Sequence, residues 1–436
     1  MDGLAFLRER TKTQTGRIVF CVLCLMPMVG GLIGHFLGRD KGVFMDVDAV
    51  LCGAQAEAAG VSPYGVLHCP GLAPAPYVYA PQVAGVFVPL VHLLGALGAR
   101  WLYVIALFLP ALALLVWYAL RRPIAGSDWR VRMLAVTGLA PMVFCGGNFG
   151  VVMHALVIST LLVWPRRNWA FVASVLLCAV VKPTFLLYLL VPLFEARPWR
   201  QRLARLALYG AAGIAVLAVT ALTAGPLGVE WRQALKAVTL YDQPGTGWFA
   251  LTTMLNMAPT APATLFLTVV FMAAMAASGL AIAEAAGLDD DARKVLALGL
   301  VPLLTPRLLD YDMLALVPLV ALVMRVMPSL GGRIFRYNVS WLFVGVLGFG
   351  MVTNVLHILR PWPRVPAAVA VFCLVVLAGG ARLAPKLWLT AWEKRRGPLP
   401  REKREKTAIG GPLHVRQVAG GEDARGRIAG KVKAIN

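Results

Sequence analysis

Apolar runs of about 20 residues recur along the first 380 positions, broken by short polar segments rich in Arg, Lys, Gly and Pro. A helix needs about that length to cross the hydrocarbon layer of a bilayer. The pattern predicts helical spans over 18–38, 101–120, 133–145, 150–164, 169–181, 184–194, 203–224, 262–285, 295–304, 313–326, 337–357 and 365–381. Three pairs are too short to cross independently: 133–145 with 150–164, 169–181 with 184–194, and 295–304 with 313–326. Each pair meets at a polar tip, where short helices tilt, extend through the tip, or stop partway under cover of protein or water. Residues 83–98 carry Pro89, His92 and three glycines, and read as a half-inserted or interfacial helix. The expectation is an all-α polytopic membrane protein of about twelve transmembrane helices, with short juxtamembrane helices in a large first outer loop.

Composition narrows this further. Hydrophobic residues make up 59% of the 436 and charged residues 14%, against about 25% charged in an ordinary soluble domain. A soluble enzyme, a disordered chain, a fibrous repeat and a small disulfide scaffold are excluded. No 20–50-residue period suggests a solenoid.

Lys plus Arg is 42 and Asp plus Glu is 21, a net charge of +21. In a membrane protein this is the positive-inside rule and attraction to anionic lipid heads; no motif points to nucleic acid. Arg8, Arg10, Lys12 and Arg17 precede an apolar run too long for a signal-peptide core, read as a retained first span starting in the cytoplasm. With 83–98 not crossing, 33 Lys/Arg fall inside and 9 outside. Both termini are then cytoplasmic, in a cell inner (plasma) membrane, and loops 39–82 and 225–261 face the periplasm. The chain divides into a transmembrane domain, 1–382, and a basic cytoplasmic tail, 383–436. The tail begins amphipathic (KLWLTAWEKRR) and carries 13 basic and 5 acidic residues, which suits a helix on anionic lipid followed by disorder. Cys52 and Cys69 share the first outer loop, where an oxidising periplasm would let them pair; the other five cysteines lie in apolar spans.

The polar residues at membrane depth carry the chemistry. Asp46 and Asp48 follow the first helix. Asn148, Lys182 and the group Arg307, Asp310, Tyr311 and Asp312 occupy the tips of the three helix pairs, all on the outer side. Ionisable groups at membrane depth are costly unless paired or wetted. Taken singly, each cation might equally snorkel to lipid phosphates; four separate tips on one side favour a site. Fixed cations suit a phosphate, and a carboxylate suits deprotonation of a hydroxyl. Together they suggest transfer from a lipid phosphate onto a hydroxyl at the outer boundary. Asp46-Val47-Asp48 is formally an Asp-x-Asp, but no third ligand stands out, so no metal is expected.

These residues resemble the GT-C superfamily of membrane glycosyltransferases, and within it family 87, the polyprenol-phosphate-mannose-dependent mannosyltransferases and their bacterial relatives. Asp46 precedes Gly60-Val-Ser-Pro63-Tyr64, and Tyr79-Ala-Pro81 leads to Pro89-Leu90. Gly147-Asn148, Lys182-Pro183 with Pro192 and Trp199-Arg200, and Pro306-Arg-Leu-Leu-Asp-Tyr311-Asp312 follow in the family's order over residues 40–320. Val47, Phe149 and Arg307 depart from the family pattern.

The resemblance implies a GT-C-like bundle and inverting transfer of a monosaccharide from a polyprenyl-phosphate donor to a lipid or glycan hydroxyl, without metal or cofactor. Asp46 would be the general base with Asp48 in reserve, and Lys182 and Arg307 would hold the donor phosphate. Asn148, Tyr311, Asp312, Tyr64 and Tyr79 would bind substrate; Tyr241, Trp248 and Phe249 of the second outer loop are candidates to stack on sugar. The alternative, a flippase or transporter of lipid-linked sugars, would spread charge along a path to both faces, whereas the inner face offers only loop cations. A scaffold without chemistry would tolerate Asp46→Asn.

Overall fold

The computed structural model describes residues 2–37, 42–65, 68–121, 124, 126–137, 142–162, 168–238, 245, 247–305, 307–326, 333–356 and 364–396. Tyr241, Arg39, Lys41, Arg360 and the tail beyond 396 lie outside them. The chain divides into two compact units, Met1–Leu387 and Trp388–Asn436; all that follows concerns the first.

Every regular element among the described residues is helical. In chain order these are α1 (Gly3–Arg10), α2 (Gln14–Leu37), α3 (Met45–Ala58), α4 (Pro81–Tyr103), α5 (Leu109–Arg121), α6 (Trp129–Val136), α7 (Met142–Cys145), α8 (Phe149–Leu162) and α9 (Asn168–Val181). There follow α10 (Trp199–Thr223), α11 (Leu227–Ala237), α12 (Trp248–Met254), α13 (Pro262–Ala285), α14 (Asp290–Leu304), α15 (Leu316–Val326), α16 (Arg333–Leu356) and α17 (Arg364–Arg396). A π-helical turn, Val104–Phe108, joins α4 to α5, and 3-10 segments cover Pro183–Phe194 and Asp310–Ala315.

Local chemistry sets several boundaries. Asp2, Asp128 and Asp289 cap α1, α6 and α14 by accepting from backbone N–H groups that lack helical partners. Pro81, Pro183 and Pro262 stand at first-turn positions, where the missing N–H costs nothing. A residue before proline is pushed out of helical backbone. Lys182 is accordingly extended (φ −137°, ψ 98°) ahead of Pro183, and α9 ends there. Thr305, ahead of Pro306, ends α14 in the same way (ψ 114°).

Five stretches are long and apolar enough to cross a membrane: Gln14–Gly34, Pro81–Arg121, Trp199–Thr223, Pro262–Ala285 and Ala368–Leu389. Their outer surfaces remain apolar, with Ile214 70% and Leu222 81% exposed on α10. Such faces are stable against lipid rather than water. The shorter helices α14 and α15 are buried almost along their length and form the centre of the core with α8. The chain is therefore an all-α protein with the helices of a multi-pass membrane protein.

The 41 residues of Pro81–Arg121 would make a helix of about 60 Å, twice the roughly 30 Å hydrocarbon thickness. Gly95 divides the stretch, with φ 67° and ψ 165° inside α4, a conformation open to glycine. The first part of α4, including 83–94, packs on α3 and meets it through Val83 and Ala84, both buried. Cys52 of α3 is joined to Cys69 by a disulfide, Cα atoms 5.7 Å apart, which fastens the loop before α4 to α3.

At the opposite end of α15, α1 is fixed by the Gly3 N–H donating to Ser340 Oγ (3.0 Å) and by the Arg8–Asp128 ion pair (2.8 Å). Glu284 of α13 binds Arg202 of α10 (2.6 Å) and Arg293 of α14 (2.8 Å), so one carboxylate ties three helices.

Candidate functional site

The site begins where α3 meets the tip before α8. Phe44 turns the chain into α3 with φ 67°, an uncommon conformation for a side chain of its size. It is held by its N–H donating to the Cys145 carbonyl (2.7 Å), while the Asp46 N–H donates to the Gly146 carbonyl (3.0 Å). Gly147 is required on two counts: its φ is +67°, and a Cβ there would stand 3.1 Å from the Phe44 side chain. This stitching delivers Asp46, in the first turn of α3, onto Asn148.

Asn148 is buried, and its Oδ1 accepts from the Gly150 N–H (2.6 Å), capping α8. Its amide is thereby turned to the carboxylate of Asp46, to which it is hydrogen-bonded. Burial raises the Asp46 pKa above the ordinary value; the Asn148 hydrogen bond and the charges of Lys182 and Arg307 oppose that rise without cancelling it. Asp46 is thus a carboxylate prepared to accept a proton, in the field of two cations.

Lys182 owes its position to the helix break before Pro183. Its Nζ lies 3.6 Å from Asp312 Oδ1, donates to the Tyr311 hydroxyl (3.4 Å) and stands 4.7 Å from the centre of the Tyr311 ring. Gly150 makes room for that ring, since a Cβ there would come within 2.6 Å of it. Arg307 couples electrostatically to Asp46, Lys182, Tyr79 and Tyr311.

Beneath Lys182 is a polar chain that the sequence reading did not include. Asp312, almost fully buried, takes His154 Nε2 at 2.7 Å, and His154 Nδ1 meets the Tyr188 hydroxyl at 2.8 Å. A carboxylate can only accept, so Nε2 carries the proton; in the neutral ring Nδ1 then accepts from Tyr188. Asp312 Oδ2 also accepts from the Leu309 N–H (3.0 Å). His154, Lys182, Phe185, Thr305 and Asp312 line one narrow cavity. The available signal was a single histidine inside the apolar helix Phe149–Leu162, an ionisable group at membrane depth.

The structure therefore brings together Asp46, Asn148, Lys182, Arg307, Tyr311 and Asp312. Tyr79 joins them: its ring packs 5.7 Å from Phe149, and it couples to Asp46 and Arg307. Tyr64 stands one layer back, its hydroxyl donating to the Tyr79 carbonyl (2.8 Å).

Asp48 lies elsewhere. Residues two apart on a helix point about 200° from each other, and Asp48 turns away from Asp46. It is 0% exposed, accepting from the Ala73 N–H (2.9 Å) and pairing with Arg100 (3.3 Å), whose guanidinium also lies 5.9 Å from the Phe44 ring centre. Asp48 ties the first outer loop to α3 and α4, a position that does not suit a reserve base. The same geometry prevents the Asp-x-Asp from chelating one ion, and no cluster of three His, Cys, Asp or Glu able to hold a metal occurs among the described residues. Trp248 stacks on Phe271 of α13 (4.4 Å), and Phe249 is half-buried beside it.

Comparison with known proteins returns no match: no protein-family model, no curated protein and no solved structure matches the chain.

Proposed function

We propose that the chain is a GT-C-like glycosyltransferase that moves a monosaccharide from a polyprenyl phosphate to a hydroxyl of a lipid or glycan acceptor. The observation that carries this reading is the Asp46 carboxylate, hydrogen-bonded to Asn148 and lying in the combined field of Lys182 and Arg307. The acceptor oxygen attacks the anomeric carbon as the bond from that carbon to the phosphate oxygen breaks. Asp46 takes the acceptor proton, polyprenyl phosphate leaves, and configuration inverts. Lys182 and Arg307 stabilise the charge that builds on the departing phosphate, the kind of fixed electrostatics that lowers such barriers most. Asp312, supported by His154 and Tyr188, holds Lys182 in place. Neither metal nor cofactor is needed for these roles.

On this reading about twelve helices span the inner membrane, both termini are cytoplasmic and the site faces the periplasm. The Cys52–Cys69 disulfide supports that orientation, because disulfides persist on the oxidising side. The basic tail would rest on anionic lipid, and nucleic acid has no part. The test is transfer of labelled sugar from synthetic polyprenyl-phosphate mannose, glucose or arabinose to membrane lipid acceptors by the purified protein. Transfer from one donor is expected, and its absence with all of them would overturn the reading.

A further inference from the structure

Tyr103 is the last residue of α4, immediately before the π-helical turn Val104–Phe108. Such turns are rare and recur at functional sites, where the widened turn re-aims side chains. The Tyr103 ring lies 4.7 Å from Phe149 and 6.5 Å from Phe108, leaving the residue 1% exposed. Its hydroxyl finds no hydrogen-bond partner among the described residues. Buried hydroxyls are nearly always paired, because an orphaned one keeps its desolvation penalty with nothing to offset it. The group couples electrostatically to Asp46, and Tyr79 couples to both. The side-chain hydrogen bond of Asp46 is with Asn148. Tyr103 thus presents an unused donor and acceptor beside the candidate base, on a ring fixed by its neighbours.

We propose that the Tyr103 hydroxyl is a substrate-binding group of an acceptor subsite, where it hydrogen-bonds the oxygen next to the hydroxyl that Asp46 deprotonates. The proposal rests on the glycosyltransferase reading and deepens it: the acceptor is a polyol with vicinal oxygens. A hydrogen bond donated to the reacting oxygen itself would draw off the electron pair needed for attack. One to the neighbouring oxygen selects which hydroxyl faces Asp46 without that penalty. The tyrosine acts by orientation and leaves the proton transfer to Asp46.

Tyr103→Phe removes one oxygen and keeps the ring. The experiment compares wild type and this variant for melting temperature, for kcat, and for KM towards membrane lipid acceptors and polyprenyl-phosphate donor. The expected result is an unchanged or higher melting temperature, since an orphaned buried group is lost, together with a fall of about tenfold or more in kcat/KM for the acceptor, the size of one substrate hydrogen bond. Donor KM stays as in wild type. Undiminished acceptor kcat/KM in the variant, a fall that tracks a lower melting temperature, or a change confined to donor KM would each overturn the inference while leaving the glycosyltransferase reading intact. Absence of transfer by the wild type would overturn that reading, and the inference with it.

Discussion

Asp46 and Asp48 differ by two positions and, in the folded chain, by everything else; Asp48→Asn separates their roles. The substitution keeps an oxygen for the Ala73 N–H and removes the charge facing Arg100, at 3.3 Å. Breaking a fully buried ion pair costs about 3–5 kcal/mol because the remaining charge is stranded. Arg100 is less confined: its side chain is 16% exposed, its guanidinium lies over Phe44 and Trp101, and it also reaches the Gly71 carbonyl. A hydrogen bond between charged groups contributes about 1.5–3 kcal/mol, so the expected loss is about 2 kcal/mol. It should appear as a melting temperature lowered by a few degrees in mild detergent. Transfer by the folded fraction should stay within about threefold of wild type, far from the 100-fold or greater loss typical of a missing general base. A variant as stable as wild type that has lost transfer would refute this reasoning and make Asp48 the base.

Asp46 must be ionised to take a proton, so transfer should fall as acid protonates it. Because burial raises its pKa, the acidic limb of kcat/KM should lie above the ordinary aspartate range; a limb at or below about 3.9 would contradict that environment. Lys182→Gln keeps a polar group but removes the charge 3.6 Å from Asp312, and is expected to raise the donor KM about tenfold or more by weakening the hold on phosphate. Donor titrations that leave KM unchanged would count against that role.

Much of this arrangement was legible because membrane-depth polarity is costly and stands out. Lys182 before Pro183, Asn148 after Gly147, and Tyr311-Asp312 after Pro306 each mark a helix break, and a break that carries a charge on an apolar background is readable without coordinates. What the sequence hid was direction. Asp46 and Asp48 look equivalent in a string, and only the helical turn from Met45 sends one to Asn148 and the other to Arg100. His154 and Tyr188 were hidden differently: each is one polar residue in an apolar helix, as satisfied core residues often are, and their link to Asp312 is a contact across 158 and 124 positions. The break in α4 at Gly95 was also obscure, because Pro89 nearby was the more conspicuous signal.

The central claim is that Asp46 deprotonates an acceptor hydroxyl during transfer from a lipid phosphate. It is tested most directly by running wild type and Asp46→Asn side by side with radiolabelled polyprenyl-phosphate sugars and membrane lipid acceptors. Asparagine retains the shape and relieves a half-buried charge, so the variant should fold at least as well as wild type while transferring label at least about 100-fold more slowly. Near-normal transfer by folded Asp46→Asn would contradict the account.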